Sequence, residues 1–525
     1  MPVTTHLDAA PAWVPYALAV GFALTLCAIF WYALGRAVVL GEVVQPGQRL
    51  ECVSYTPFTR DQSPLHPPFV VSRDQVDRDF ALLSARFQCV RTYSVTGLEV
   101  IPEVARQHGL RVMLGAWVGV DDAVTEQEVA GLVRLAKRYP DVVSAVIVGN
   151  EVLLRREKTG AQMAGLVRQV KAQVSQPVTY ADVWEFWRKH PEVAPEVDFV
   201  TIHLLPYWED EPTGIDAALA QVGRVRRLMG ETFPGKPILI GETGWPSEGR
   251  QRESAVPSRV NQAWFVRGFV RAAQAEGWRY NLIEAFDQPW KREKEGAVGG
   301  YWGLFDTDRT DKGVLAGPVS NLPQWPRWLA LSGLLAGAML LAAGRPRSRR
   351  AVVAPALAFA GATLAAYHLR YAAISARSLA EWGWMSAEVA LTLAVTVWLT
   401  LAAIGPAAGW RARLLELAQR RAHWLALAAG FGATVLSLQL AFEPRYRDFP
   451  FWAYLMPALG LLWLRFREAP PPPPPRGPVL GATLVLTIPA ILVQESLAHG
   501  GALAWALVSL ALAAGLAWPA RREGP

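Results

Sequence analysis

The sequence predicts an α/β domain closed as a (β/α)8 TIM barrel, joined to an α-helical transmembrane bundle of one N-terminal span and seven C-terminal spans. Three observations lead there. The chain has 525 residues and 52% apolar content, too long for one ordinary domain and too apolar for two soluble ones. Asp, Glu, Lys and His gather in residues 46–320, while the remainder reads as long hydrophobic stretches. Inside 46–320, short β-branched runs alternate with longer amphipathic ones, the pattern of strand–helix units that build a parallel sheet. The expected divisions are an N-terminal anchor (1–45), the barrel (46–320) and a seven-span domain (321–525).

The first apolar stretch, Ala12 to Leu34, is long enough to cross a hydrocarbon core of about 30 Å at about 1.5 Å per helical residue. No basic residue precedes it and no small-residue cleavage site follows, so it reads as an uncleaved signal anchor. Eight strands follow: Glu51–Tyr55, Cys89–Tyr93, Arg111–Trp117, Val142–Val148, Val178–Asp182, Asp198–His203, Pro237–Ile240 and Asn281–Phe286. Eight strands in a domain of about 250 residues is the count that closes a barrel. Among the helices between them, residues 72–86 open with Ser72 and keep Val76, Phe80 and Leu83 on one face, and 125–138 and 258–276 repeat the habit. The alternative, an open doubly wound sheet, calls for a Gly-rich phosphate loop after the first strand, and there is none.

Beyond residue 326 the candidate spans are 328–343, 351–369, 387–405, 424–442, 450–464, 478–493 and 500–518. Short cytoplasmic loops tend to hold Arg and Lys. With 46–320 outside, the inside segments hold thirteen Arg and the outside loops only Arg370, Arg377, Arg445 and Arg447, which places the barrel on the extracytoplasmic side and both termini in the cytoplasm. Those inside segments carry a net +10 of the chain's +7, so the rest is net −3 and nothing suggests nucleic acid. Pro470–Pro475 reads as a stiff spacer. Cys52 and Cys89 sit at the starts of adjacent strands, where disulfide geometry is demanding, so their pairing stays open. The C-terminal spans hold few ionisable groups, chiefly His368, Glu388 and Glu495 towards outer ends, which suits an anchor or assembly platform better than a proton-coupled transporter.

In such barrels the functional residues stand at the carboxyl ends of the strands. SAVIVGNEV places Asn150 and Glu151 at the end of the fourth strand, and PILIGETGWPSEG places Glu242 at the end of the seventh. A carboxylate directly after a buried apolar strand is costly to desolvate unless it is used or paired. A loop arginine such as Arg155 or Arg250 could pair either one structurally. Two across one barrel mouth match what glycosidic chemistry requires: an acid for the leaving oxygen and a carboxylate facing the anomeric carbon. At about 5–5.5 Å apart the second attacks directly, and configuration is retained. The charge on Glu242 is then expected to raise the pKa of Glu151 and keep it protonated for its first task. His203, in TIHLL, reads as a histidine bonded to barrel neighbours rather than a proton shuttle, and no metal or other cofactor site accompanies it.

VGNEVLLR, GETGWPSEG and the FDQPWK…GGYWGLFD tail resemble glycoside hydrolase family 17, the β-1,3-glucanases and β-1,3-glucanosyltransferases, particularly a membrane-bound bacterial branch. The resemblance implies a (β/α)8 fold, retention, Glu151 as acid/base and Glu242 as nucleophile. It implies that Asn150 holds the sugar 2-hydroxyl, that Tyr207 orients the nucleophile, that Tyr55, Arg91 and Tyr93 line the cleft rim, and that Glu284 and Lys291 lie near the nucleophile. The sequence departs from the plant enzymes at Gln288, where they tend to carry an acid, and lacks their glutamate ahead of the GLF motif. Trp117, Trp184, Trp187, Trp208, Trp245, Trp290 and Trp302 fall at or beyond strand ends, where flat faces stack on sugars; each alone reads as packing, with Trp245 the best platform and Trp184 a further substrate contact.

The expected function is cleavage, elongation or branching of β-glucan by a hydrolase or transglycosylase set in the plasma membrane. Its partners are a β-glucan, membrane lipid and, as a further expectation, glucan synthase or export machinery. A β-1,6-glucan synthase or branching role, and a non-catalytic glucan-binding or export protein, are the alternatives.

Overall fold

The computed structural model describes residues 13–43, 47–346, 349–405, 408–443, 448–466, 474 and 476–517. The Pro470–Pro475 run, apart from Pro474, lies outside the described residues, as do the flanking Arg347, Arg445, Arg447, Arg467, Arg521 and Arg522. The chain divides into two compact units, residues 38–319 and the segments on either side of them.

In the first unit, eight parallel strands close into a barrel in chain order. They are β1 (Leu50–Ser54), β2 (Phe87–Arg91), β3 (Arg111–Ala116), β4 (Val143–Asn150), β5 (Val178–Val183), β6 (Val200–His203), β7 (Ile238–Thr243) and β8 (Arg279–Leu282). All eight expected strands are present, and the shifts at their ends have local causes. β6 starts two residues late because the Asp198 carboxylate accepts from the Val178 amide and pairs with Lys171. β8 stops at Leu282 because the next amides leave one ladder for several acceptors, Ile283 to Thr243, Glu284 to Trp302 and Ala285 to Ser54. The helices begin where the sequence offers caps: Ser72 accepts from Gln75, Ser258 from Asn261, and Thr159 forms a capping box with Gln162.

Side chains alternate across a strand, so every second residue faces the barrel interior. Cys52, Cys89, Met113, Ala145, Ile147, Phe199 and Leu239 form an apolar cluster there. Two positions further along the same strands the interior turns polar: Cys52 gives way to Ser54, Cys89 to Arg91 and Phe199 to Thr201, then His203. The polarity gradient therefore runs towards the carboxyl ends. Cys52 and Cys89 face each other in the β1–β2 register and are joined as a disulfide, with Cα atoms 4.6 Å apart, which closes the question the sequence leaves open.

In the second unit, seven helices among the described residues are long and apolar enough to cross a membrane. The sequence predicts eight spans; the remaining one, Phe451–Arg465, is a helix of 15 residues, about 22 Å long and short for a core of about 30 Å. Its buried ionisable groups are partnered. His368 pairs with Glu388 at 2.8 Å, Glu388 also accepts from Trp384 and Tyr454, and Glu495 lies 3.7 Å from His499.

Candidate active site

β4 delivers Asn150, and the next residue, Glu151, turns out of the strand with φ of +52°, a conformation uncommon for any residue but glycine. Its amide is held by the Ala181 carbonyl at 2.8 Å, so the turn is fixed from β5. Strain at such a position is tolerated when the surroundings over-determine it, and it aims a side chain that a regular strand would turn elsewhere. β7 delivers Glu242 beside Gly241, where a Cβ would stand 2.3 Å from Thr201 Cγ2 and 3.3 Å from Arg91 Nη1. The absent side chain leaves room for the Arg91 guanidinium, which donates to the Gly241 carbonyl at 2.6 Å.

The two glutamates meet at the mouth. Glu151, Glu242 and His203 each place one oxygen or ring nitrogen within 4.8 Å of the others. His203 Nδ1 is 2.7 Å from Glu151 Oε1, and its Nε2 is 3.6 Å from Glu242 Oε1. The same triad would offer three ligands to a metal, but the fully buried Arg91 already donates to Glu242 Oε1 at 3.3 Å and towards Nε2 at 3.4 Å. A guanidinium on those lone pairs builds a charge-paired carboxylate site. The structural alternative for the glutamates is not realised, since Arg155 pairs with Glu157 and it is Arg91 that faces Glu242.

Burial pushes the Glu151 carboxyl up, but the hydrogen bond from His203, with Arg155 and Arg91 nearby, outweighs it and holds the carboxyl below its ordinary value. That reverses the expected elevation by Glu242, because the imidazole stands between the two carboxylates. His203 is buried and bonded to its barrel neighbours, as expected, and those neighbours include Glu151 and Arg91. The signal available in the sequence was its place at the end of β6, level with Glu242 in the β6–β7 register.

The tyrosines exchange roles. Tyr93 OH donates to Glu242 Oε1 at 2.9 Å, lies 2.6 Å from Ser54 Oγ, and has Arg91 4.7 Å over its ring. Tyr207, expected at the nucleophile, is fully buried and donates to the Arg250 carbonyl. Tyr55 is not on a rim either; its buried hydroxyl donates to Asp79. Trp245 has no exposed surface, packs against Tyr207 and Phe265, and donates to the Val256 carbonyl, so it cannot serve as a sugar platform. Proline and glycine beside it mark a tight turn, and that turn carries the indole inward. Trp184 is half-buried against the barrel core. Trp187 and Trp302 are buried, whereas Trp117 is 39% exposed, with Arg155 4.3 Å over its ring.

Lys291 places Nζ 2.9 Å from both oxygens of Glu284. Burial raises Glu284 to about 7, against the pull of Lys291 and with the push of Asp287 and Glu242. Glu295, which no sequence motif singles out, is likewise pushed up to about 7 by burial, with Lys291 opposing and Glu284, Glu151 and Glu242 adding to it. It supplies an acid near the pair from a different chain position than the one missing ahead of GLF. Asn150 Oδ1 accepts from Arg91 Nη2, which leaves its amide hydrogens without a partner among the described residues.

Residues 52–303 match the BtgE/BtgC glycoside hydrolase domain. A glucan 1,3-beta-glucosidase of Arthroderma benhamiae is 28% identical over 264 residues, covering 46% of this chain and 84% of that protein. A probable beta-glucosidase, btgE, of Aspergillus fumigatus is 29% identical over 266 residues, covering 49% of this chain but only 45% of its own length. Among solved structures, a glycoside hydrolase family 17 beta-1,3-glucanosyltransferase from Rhizomucor miehei aligns with a TM-score of 0.45 at 25% identity, over 50% of this chain and 96% of that one. The domain match and the two named relatives bear out the resemblance drawn from the motifs, without bearing on a bacterial branch. Residues 52–303 of this chain are thus similar to the BtgE/BtgC glycoside hydrolase domain, and the chain is an enzyme of the glycosidase and glycosyl-transfer class.

Proposed function

We propose that this protein is a retaining β-1,3-glucan hydrolase or transglycosylase that remodels glucan at the outer face of a membrane, with Glu242 as nucleophile and Glu151 as acid/base. One observation carries the reading: carboxylate oxygens of Glu151 and Glu242 within 4.8 Å of each other, on opposite sides of the mouth of a closed barrel. Direct attack needs about 5–5.5 Å between the carboxyl groups, and an inverting enzyme needs more, to admit a water between them. The substrate class draws support from the names of the relatives above.

Glu242 Oε1 is occupied by Tyr93 and Arg91, and no hydrogen bond among the described residues falls on Oε2. Oε2 attacks the anomeric carbon while Glu151 protonates the departing oxygen. In the second half-reaction Glu151 takes a proton from water or from a sugar hydroxyl, which displaces Glu242. Asn150, held by Arg91, offers its amide hydrogens to the 2-hydroxyl. The membrane setting rests on the apolar helices, and the outward orientation on the arginine distribution.

Detergent-solubilised protein given laminarihexaose is expected to yield shorter or longer glucans whose products first appear as the β-anomer, with the new linkage read by methylation analysis. Glu242→Ala is expected to leave the oligomer unchanged. Identical product traces from the two proteins would defeat the enzyme mechanism, and an α-anomer would defeat retention.

A further inference from the structure

His203 has no exposed surface to speak of and touches both carboxylates; the groups facing it are Glu151, Glu242, Arg91 and, beyond Glu151, Asp182. Where its hydrogens sit turns on Nε2. Arg91 directs hydrogens from both Nη1 and Nη2 at that atom, at 3.4 Å each. A guanidinium carries five donors and no acceptor, so Nε2 must accept. A ring that accepts there bears its hydrogen on Nδ1, and Nδ1 stands 2.7 Å from Glu151 Oε1. A ring held in this tautomer is neutral, so it supplies Glu151 with a donor without the full charge that keeps a carboxylate ionised.

We propose that His203 is the positioning residue of the acid/base: fixed by Arg91 as the Nδ1–H tautomer, it donates to Glu151 Oε1 and so confines the catalytic proton to Oε2. The proposal rests on the reading of Glu151 as acid/base. No hydrogen bond among the described residues falls on Oε2, which leaves that oxygen for the substrate. As the glycosidic C–O bond breaks, the Oε2 proton passes to the departing oxygen and Glu242 Oε2 bonds to the anomeric carbon. The Nδ1–H stays on the ring throughout and now stabilises the Glu151 carboxylate it faces. When water or an acceptor hydroxyl attacks, its proton returns to Oε2 and the bond to Glu242 is released. Arg91 thereby serves both carboxylates, directly at Glu242 and through His203 at Glu151.

Full-length solubilised protein tests this with two donors. Laminaripentaose needs a proton on its leaving oxygen, whereas 2,4-dinitrophenyl β-laminaribioside departs without one. Gln at position 203 reaches towards the Nε2 site and abandons Nδ1, while Asn sets an amide donor where Nδ1 stands. His203→Gln is expected to lose about 100-fold more kcat/KM, which reports the first half-reaction, on laminaripentaose than on the aryl donor, the scale of general acid catalysis, and His203→Asn to recover to within about 10-fold of wild type on laminaripentaose. Equal losses on both donors, or an Asn variant no better than Gln, would overturn the assignment. Labelling by 2-deoxy-2-fluoro-laminaribiosyl fluoride separates the two levels. An unlabelled Glu242 in wild type brings down the retaining mechanism itself, and label with equal losses brings down only the role of His203. The Asn variant decides alone if the Gln variant takes no label.

Discussion

A guanidinium without exposed surface organises the barrel mouth: Arg91 donates to Glu242, to Asn150 and to the Gly241 carbonyl, and lies over the Tyr93 ring. Arg91→Ala leaves the nearly buried Glu242 without its cation, a change that costs about 3–5 kcal/mol. The melting temperature of the solubilised protein is expected to fall by roughly 10 °C, read by intrinsic fluorescence. An unshifted melting curve would contradict the pairing. The buried acids around the site make a second prediction. Burial raises Asp182 and Asp287 to about 6 and Glu284 and Glu295 to about 7. The folded state thus binds these protons more tightly than the unfolded chain. Their stabilising effect is complete below the ordinary carboxyl values near 4 and is lost as pH rises through 6 and 7. The protein should melt higher at pH 5.5 than at pH 8, and Glu284→Gln should narrow the gap. A curve that rises with pH across that range would count against the burial of these acids.

At the scale of elements, the strands and their caps were legible because local chemistry sets them. β-branched runs bounded by polar turns gave eight strands, and Ser72 and Ser258 gave helix starts. The ends of β6 and β8 were not legible, since Val178 and Lys171 act on Asp198 before β6, and Thr243, Ser54 and Trp302 act after β8, from distant parts of the chain. The disulfide is likewise a property of paired elements. It joins residues 37 apart on β1 and β2, and closing a loop of that length restricts the unfolded chain. The Cys52→Ser, Cys89→Ser double variant is expected to lose about 2–4 kcal/mol of barrel stability, seen as earlier unfolding in a urea titration. Coincident titrations would mean that the bridge adds nothing to stability.

For the whole molecule, the helix Phe451–Arg465 decides how many crossings the proposed membrane topology has. It is short, yet it ends on Arg465 and Arg476 lies beyond it, as expected of an end on the cytoplasmic side. On the topology proposed above, with this helix crossing, the turn between the helices Gly477–Glu495 and Gly500–Ala517 faces outward. A Cys introduced as Ala498→Cys, in a Cys27→Ser background, is then expected to react with an impermeant maleimide on intact cells. Reaction only after permeabilisation would reverse the orientation of the last two helices.

The sequence by itself determined the fold class, the strand count, the long apolar helices and the place of the two glutamates at strand ends, because each follows from local periodicity or from position along one strand. Tertiary structure decided which side chains reach that mouth. Tyr93 rather than Tyr207 touches Glu242, Trp245 turns into the core, Glu295 returns towards the site, and His203 stands between the two carboxylates. The physical reason is geometric: barrel closure brings together residues from β2, β4, β6 and β7, and whether an aromatic or a titratable group faces sugar or core depends on neighbours that no spacing along the chain reveals.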